Sequence, residues 1–166
     1  PVWAISVAVA VEGRPTAAVV HLPARDMTYA AALGQGATLN GAPIHVSDQS
    51  DPAKAELLCA KVNFRSEFWE SPPVKPKLHF RSSLAYRLSL IAQGRFDAMM
   101  TLRPTWEWEV AAGALLVSEA GGTVLTCDGA PPRFNSPQAQ LPGILAGAPA
   151  LISQYLSHGP RIPPPR

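Results

Sequence analysis

The carboxylate of Glu109, within the run WEVAAG at residues 108–113, is the side chain with the greatest potential for chemistry in this sequence. The run predicts the first turn of a helix that leaves the carboxyl end of a strand, which is where α/β folds place their ligand clefts. An acid at that point interacts favourably with the helix dipole and can coordinate a hard cation. Without further context the simpler interpretation is an acid that only stabilises its helix, so both roles stay open.

Two further features near this run could bind an anion. Arg103 carries a guanidinium, whose geometry suits phosphate, and Ser82 stands where a helix is predicted to begin. Each has a plainer explanation, since Arg103 can be a solvated surface charge and Ser82 can simply cap its helix. Glu107 offers a second carboxylate, but residues two apart do not share a helix face, and we expect it at the rim of the site. Trp106 and Trp108 are expected in the core or in the wall of the cleft.

Zinc, disulfide and histidine chemistry are not indicated by the residue spacing. Cys59 and Cys127 lie far apart, without the pattern of a zinc site or of a disulfide framework, which favours a reducing compartment and a cytoplasmic location. The four histidines lack any mutual spacing for metal binding or general-base catalysis (His21, His45, His79 and His158).

The composition predicts a folded, soluble protein whose partner is a small molecule. Of 166 residues, 47% are hydrophobic and only 16% are charged, which excludes a disordered chain or one that coats nucleic acid. The net charge of +2 is too small to imply a polyanion, so any bound anion should be small. The longest apolar run, residues 2–11, is about half the length that spans a bilayer.

Antiparallel strands are predicted over the first 50 residues. Apolar runs at residues 2–11 and 16–22 flank a turn, residues 27–32 form a third run, and Asn40-Gly41 is a strong hairpin signal. The polar segment 47–54 is the best candidate for a domain boundary. Because the chain opens with proline and enters a core strand at once, we expect it to be a piece of a longer protein.

Alternating strands and helices are predicted for residues 51–158, which indicates a sheet with crossover helices. Apolar residues recur at helical spacing after Ser82, and Gly94 ends that helix. Further helices are predicted at 110–120 and 149–156, and strands at 56–62, 78–80, 96–102, 123–126 and 144–146. The proline-rich tail 159–166 is expected to be extended and mobile.

Motifs spread over nearly the whole chain resemble the inositol monophosphatase superfamily. Residues 108–113 and 119–122 resemble its W-D-x-A-A-G and E-A-G-G signature, residues 34–41 its G-x-G-A-x-x-N-G hairpin, and residues 94–97 its G-R-x-D strand. The resemblance implies a layered α/β sandwich of the sugar-phosphatase type. It also implies hydrolysis of a phosphate monoester by a water that magnesium ions activate. The match is to the C-terminal two-thirds of such a protein, so that residues 1–50 would be the remaining strands of its metal-binding domain.

The same resemblance suggests roles for individual residues. Glu109 takes the place of the family's metal-binding aspartate, and four residues are candidates for substrate binding (Ser82, Ser83, Arg103 and Trp108). The family's other metal ligands, from an upstream glutamate and a D-P-x-D-G-T loop, would precede Pro1, so this chain alone is expected to be inactive. Glutamate also places its carboxylate about 1.5 Å further out than aspartate does, which puts the activity of the parent protein in question.

The sequence around Arg103 favours one branch of the superfamily. Inositol monophosphatases carry an acid shortly before W-D that binds ring hydroxyls, whereas this chain has residues 102–105, LRPT, at that place. That stretch and residues 81–84 resemble the bacterial 3'(2'),5'-bisphosphate nucleotidases, in which a guanidinium would suit a second phosphate. An inositol or sugar monophosphatase and a non-catalytic relative remain the alternatives. The expected partners are a small phosphorylated substrate and, in a homodimer, a second copy of the chain.

Overall fold

Small and branched apolar residues build a first sheet from consecutive strands. The computed structural model describes residues 3–162. The strands are β1 (Ile5–Val11), β2 (Arg14–Leu22), β3 (Met27–Ala32), β4 (Ala37–Leu39) and β5 (Ala42–Ile44). They pair antiparallel in chain order, so this sheet is a meander with β1 and β5 at its edges. Asn40 and Gly41 have φ angles of 49° and 82° and form the predicted tight turn between β4 and β5.

A second sheet contains both parallel and antiparallel strands. Its strands are β6 (Glu56–Leu58), β7 (Lys77–His79), β8 (Ala98–Thr101), β10 (Thr123–Leu125) and β12 (Ile144–Gly147). Two short strands, β9 (Thr105–Trp106) and β11 (Gln140–Leu141), pair with each other in a separate sheet. The order in the sheet is β10-β12-β8-β6-β7, with β6 parallel to both of its neighbours. The non-sequential order requires the crossovers that the alternating pattern predicts.

Two helices fill the space between the sheets, and a third covers the far side. They are α1 (Leu84–Ala92), α2 (Glu107–Glu119) and α3 (Pro149–Ser157). All nine residues of α1 are buried, as expected for a helix enclosed on several sides. One apolar cluster joins the first sheet, α1, α2 and the second sheet, while α3 packs in another cluster on the second sheet's outer face. No helix in residues 3–162 has the length and apolar run needed to cross a membrane.

The layers confirm the predicted α/β sandwich, in the order sheet, helices, sheet, helix. The division at residue 50 stays a prediction. Asp97 ties the two sides of that point together, because its carboxylate accepts hydrogen bonds from Ser47 Oγ at 2.5 Å and from the Glu56 amide at 2.7 Å.

Several element ends differ from the expectation. Helix α1 begins one residue later than predicted, and its cap is Ser83, whose Oγ accepts from the Tyr86 amide at 3.3 Å; the assignment of Ser82 as the cap was wrong. Strand β6 ends at Leu58, because the residues that follow turn into a 3₁₀ helix (Lys61–Phe64). Strands β9 and β11 were not predicted, since two residues are too short to show an alternating pattern.

Part of the predicted C-terminal tail lies against the protein. The Gly159 carbonyl accepts from the Glu70 amide at 2.9 Å, and the Arg161 amide donates to the Phe68 carbonyl at 2.7 Å. These bonds hold residues 159–161 against residues 68–70. Residues 163–166, which carry most of the prolines, lie outside the described residues.

The outer face of β1 carries a row of apolar side chains that nothing in residues 3–162 covers. Ile5, Val7, Val9 and Val11 are between 48% and 55% exposed, and β1 is an edge strand. The alternate residues of β1, such as Ala8, pack instead against the shared core. An exposed apolar edge of this kind favours association between chains.

We expect Val7→Lys to reduce aggregation of the 166-residue chain while changing its melting temperature by less than about 2 °C, because the change lies on the outer face. The matched change Ala8→Lys buries a charge against α2 and should lower the melting temperature by about 4–8 °C or more. Light scattering and thermal unfolding measure the two effects. Equal melting temperatures for both variants would contradict the assigned orientation of β1.

Candidate active site

Glu109 is the third residue of α2 and stands beside the start of that helix. Its Oε2 accepts a hydrogen bond from the Trp106 amide at 3.4 Å, a long contact that contributes little. The side chain is half-buried and lines a cavity of about 290 Å³, which we call the Glu109 cavity. The carboxylate therefore faces open space as well as its own helix terminus, and both roles that the sequence allows have a structural basis.

The Glu109 cavity brings together three of the five candidate residues. Its lining comes from β1 and the residue before it, the start of α1 and the start of α2 (Ala4, Ser6, Ser83, Leu84, Ala85, Trp108 and Glu109). Ser82 and Arg103 are exposed and do not line it. The structure thus places Ser83, Trp108 and Glu109 around one space, and Ser82 and Arg103 outside it.

Ser83 takes a backbone conformation that favours this arrangement. Its φ angle is 65°, in the left-handed region that few residues with a side chain adopt. The strain is accommodated by its capping bond to the Tyr86 amide. The first amide groups of α1, which have no partner within the helix, consequently begin at the edge of the Glu109 cavity.

A second cavity, of about 530 Å³, lies next to the first and shares Ser6 and Trp108 with it. Its outer wall is the loop 134–139, and its inner walls are β1 and α2. The Ser6 hydroxyl is buried and has no hydrogen-bond partner within residues 3–162. A buried hydroxyl without a partner is costly, so this group is available to a ligand or to water at the junction of the two cavities.

Glu107 is not at the rim, as the spacing rule suggested, but is 7% exposed. Its carboxylate accepts from the Asn135 amide at 2.6 Å, from the Ser136 amide at 3.1 Å and from Ser136 Oγ at 2.5 Å. It therefore fixes the outer wall of the second cavity to the start of α2. The expectation was wrong because the partners of Glu107 lie in a loop that is 28 residues further along the chain.

Arg87, on α1, is a candidate residue that the sequence reasoning missed. The residue is 9% exposed, and its guanidinium donates from Nε to the Arg81 carbonyl and lies 4.6 Å from the centre of the Phe80 ring. Burial lowers its pKa; the positive charge of Arg103 lowers the pKa further, while Glu109 raises it. No ion pair within residues 3–162 includes Arg87. The available signal was a single charged residue in a mostly apolar helical run.

The described residues do not form a metal site by themselves. No group of three or more histidine, cysteine, aspartate or glutamate side chains in residues 3–162 is placed to hold an ion. Magnesium needs several hard oxygen ligands at once. Glu109 alone does not meet that requirement, so a metal bound at the Glu109 cavity would need further ligands from elsewhere.

Comparison with protein families identifies the family of this chain. The model of the inositol monophosphatase family matches residues 1–157. The chain belongs to this family. Members of the family are phosphoric monoester hydrolases.

Curated members of the family show the same kinship at moderate identity. The chain is 33% identical over 138 residues to inositol monophosphatase 3 of Solanum lycopersicum, with 78% of this chain and 52% of the relative covered. It is 37% identical over 135 residues to the Nus factor SuhB of Escherichia coli K12, with 75% and 49% covered. The chain therefore spans about half the length of these relatives.

Solved structures of the family share the fold. An inositol monophosphatase from Anabaena (Nostoc) sp. PCC 7120 superposes with a TM-score of 0.76 at 30% identity, over 94% of this chain and 62% of that one. The Thermotoga maritima inositol monophosphatase gives a TM-score of 0.76 at 26% identity. The layered sandwich of this chain is thus the family's own arrangement.

The different roles of Glu107 and Glu109 can be separated by stability measurements. Glu107→Gln removes the charge from three hydrogen bonds, and we expect a loss of about 2–3 kcal/mol in the free energy of unfolding. Glu109→Gln removes only a helix-dipole interaction from the fold and should cost about 0.3–1 kcal/mol. Urea unfolding of both variants tests this. An equal or larger loss for Glu109→Gln would contradict the assignment of Glu107 as the structural acid.

Proposed function

We propose that the protein containing this chain is a magnesium-dependent phosphatase that removes one phosphate from a small 3'(2'),5'-bisphosphate nucleotide. The observation on which the choice of substrate depends is Arg87, a largely buried residue whose guanidinium forms no ion pair with a carboxylate in residues 3–162. Membership of the family supports the hydrolysis of a phosphate monoester.

The energetics of Arg87 support an anionic ligand near it. Removing a guanidinium from water without a counter-ion is unfavourable, and Arg103 adds a second positive charge nearby. A phosphate would neutralise both charges and accept hydrogen bonds from the guanidinium nitrogen atoms that Arg81 leaves free. A polyol such as inositol offers no charge to match them.

In this proposal the two phosphates of the substrate occupy separate places. The phosphate to be removed lies in the Glu109 cavity, where Ser83 and the first amides of α1 favour an anion and Trp108 forms a wall. Glu109 supplies one oxygen ligand to a metal whose other ligands lie outside residues 3–162. Magnesium, when bound, activates a water and neutralises phosphoryl oxygens. The second phosphate lies toward Arg87 and Arg103, and Ser82, exposed just before α1, is a further candidate contact for the substrate.

A hydrolase of inositol or sugar monophosphates is the second candidate. It is supported by the curated relatives that are named inositol monophosphatases, at 33% identity. A non-catalytic relative is the third, supported by the extra methylene of Glu109. The substrate preference separates the first two, and the magnesium dependence of catalysis separates both from the third.

Substrate preference is tested on the full-length protein with adenosine 3',5'-bisphosphate and inositol 1-phosphate. We expect a higher kcat/KM for the bisphosphate, and we expect Arg87→Met to lower that value about 10- to 100-fold. Hydrolysis of adenosine 3'-phosphate, which lacks the second phosphate, should change little in the variant. Arg65→Met, at an exposed arginine on the 61–68 segment, is the control.

Two results would contradict the assignment of Arg87. Equal losses on the bisphosphate and on adenosine 3'-phosphate would mean that Arg87 only supports the fold, which thermal unfolding of the variant would show directly. A preference for inositol 1-phosphate in the wild-type protein would favour the second candidate function and leave the phosphatase activity intact.

The role of Glu109 is tested by magnesium titration of the full-length protein and its variants. If Glu109 is a metal ligand, Glu109→Gln should raise the magnesium concentration needed for half-maximal activity at least about 10-fold. Glu109→Asp restores the family's usual length and should preserve or raise activity. The 166-residue chain alone, assayed in parallel, should release no phosphate. Superimposable titration curves for the wild-type protein, Glu109→Gln and Glu109→Asp would mean that Glu109 only interacts with the dipole of its helix.

A further inference from the structure

Two tryptophans next to the Glu109 cavity form an exposed, stacked pair. The indole rings of Trp106 and Trp108 have centroids 4.7 Å apart and planes inclined by only 9°. Their side chains are 43% and 59% exposed, although a large apolar ring normally gains free energy from burial. Of the two expected places, the core or the wall of the cleft, the structure confirms the wall for Trp108, which lines both cavities, and neither ring lies in the core. The pair presents a flat aromatic surface.

The backbone holds this pair in a fixed position. Trp106 lies in β9, where it pairs with Gln140 of β11, and its amide contacts the Glu109 carboxylate. Trp108 is the second residue of α2, a helix held at its first residue by the bonds of Glu107. Strand pairing holds the backbone of Trp106, and helix α2 holds that of Trp108. Because the pair is held in this way before a ligand arrives, binding should cost little conformational entropy.

The position of the pair connects it to the proposed site. Trp108 lines both cavities, and Trp106 stands three residues after Arg103 and three before Glu109. A ligand with a phosphate in the Glu109 cavity can therefore extend its organic part over the indoles. A planar ring matches their shape, while the non-planar ring of a polyol does not.

We propose that Trp106 and Trp108 form a stacking platform for the nucleobase of the substrate, with Trp106 as a specificity-determining residue. This inference rests on the proposed function, because the phosphate in the Glu109 cavity brings the base to the pair. Every nucleobase has a flat face that can stack on an aromatic side chain. The platform therefore selects nucleotides over polyol phosphates without selecting one particular base.

The experiment uses two probes that each test one part of the site in the full-length protein. Adenosine carries the base without a phosphate, and ribose 5-phosphate carries a phosphate without a base. Tryptophan emission and calorimetry report the binding of each. Adenosine binding tests the platform, and ribose 5-phosphate binding tests the phosphate site of the proposed function, so either can fail while the other stands.

We expect adenosine to quench tryptophan emission in the wild-type protein and to bind Trp106→Ala about 5- to 100-fold more weakly. Trp106→Phe keeps an aromatic face and should retain most of the affinity. Ribose 5-phosphate should bind all three proteins alike. Trp3→Ala, at another tryptophan that is 52% exposed, should leave adenosine binding unchanged.

Three results would overturn the platform. They are an adenosine affinity that Trp106→Ala does not change, an equal loss in Trp106→Phe and Trp106→Ala, and the absence of adenosine binding at millimolar concentration in the wild-type protein. The last result is also the one expected if another part of the full-length protein covers the indoles. Circular dichroism and thermal unfolding of each variant show that the fold is retained.

Discussion

The close packing of α1 on α2 is the contact on which the candidate site depends. Gly113 makes it possible, because a Cβ atom added there would lie 2.4 Å from Leu88 Cβ, far closer than such atoms approach. With the two helices in contact between the sheets, their amino-terminal ends lie side by side. Ser83 at one end and Glu109 at the other then share a cavity. The glycine of the WEVAAG run thus serves the site through helix packing and not through any contact with a ligand.

The packing of α1 in the interior also buries a cationic side chain, that of Arg87. Arg87 extends from α1 toward the interior, and within residues 3–162 its guanidinium contacts only a carbonyl oxygen and an aromatic face. A fold selected for stability alone would favour an apolar residue of similar volume at such a place. In the proposed function an anionic ligand offsets this cost, which makes the buried Arg87 a stronger indication of a second phosphate than the exposed Arg103.

The sequence predicted the layers well and the side-chain partners poorly. The Asn40-Gly41 hairpin and the periodic apolar residues of α1 are local signals, and the structure confirms both. Ser82 and Ser83 could each have capped α1, and only the backbone angle of Ser83 decides between them. The partners of Glu107 and the burial of Arg87 depend on segments that are distant in the chain. Spacing along one helix carries no information about them.

Carboxylates anchor α2 at both ends, which links two sequence motifs that are far apart. Glu119, in the EAGG run, accepts hydrogen bonds from the amides of Gly34 at 2.9 Å and Gly36 at 2.8 Å, in the hairpin run GQGA. Glu107 holds the loop 134–139 at the other end.

A helix fixed in this way cannot slide to compensate for a longer side chain. In the proposed function, Glu109 replaces a metal-binding aspartate, and its extra methylene would have to be accommodated by the side chain's own torsion angles or by the position of the bound ion. A displacement of about 1 Å at a catalytic centre can cost about 100-fold in rate. The anchoring of α2 would therefore give the longer side chain of Glu109 consequences for the proposed metal site.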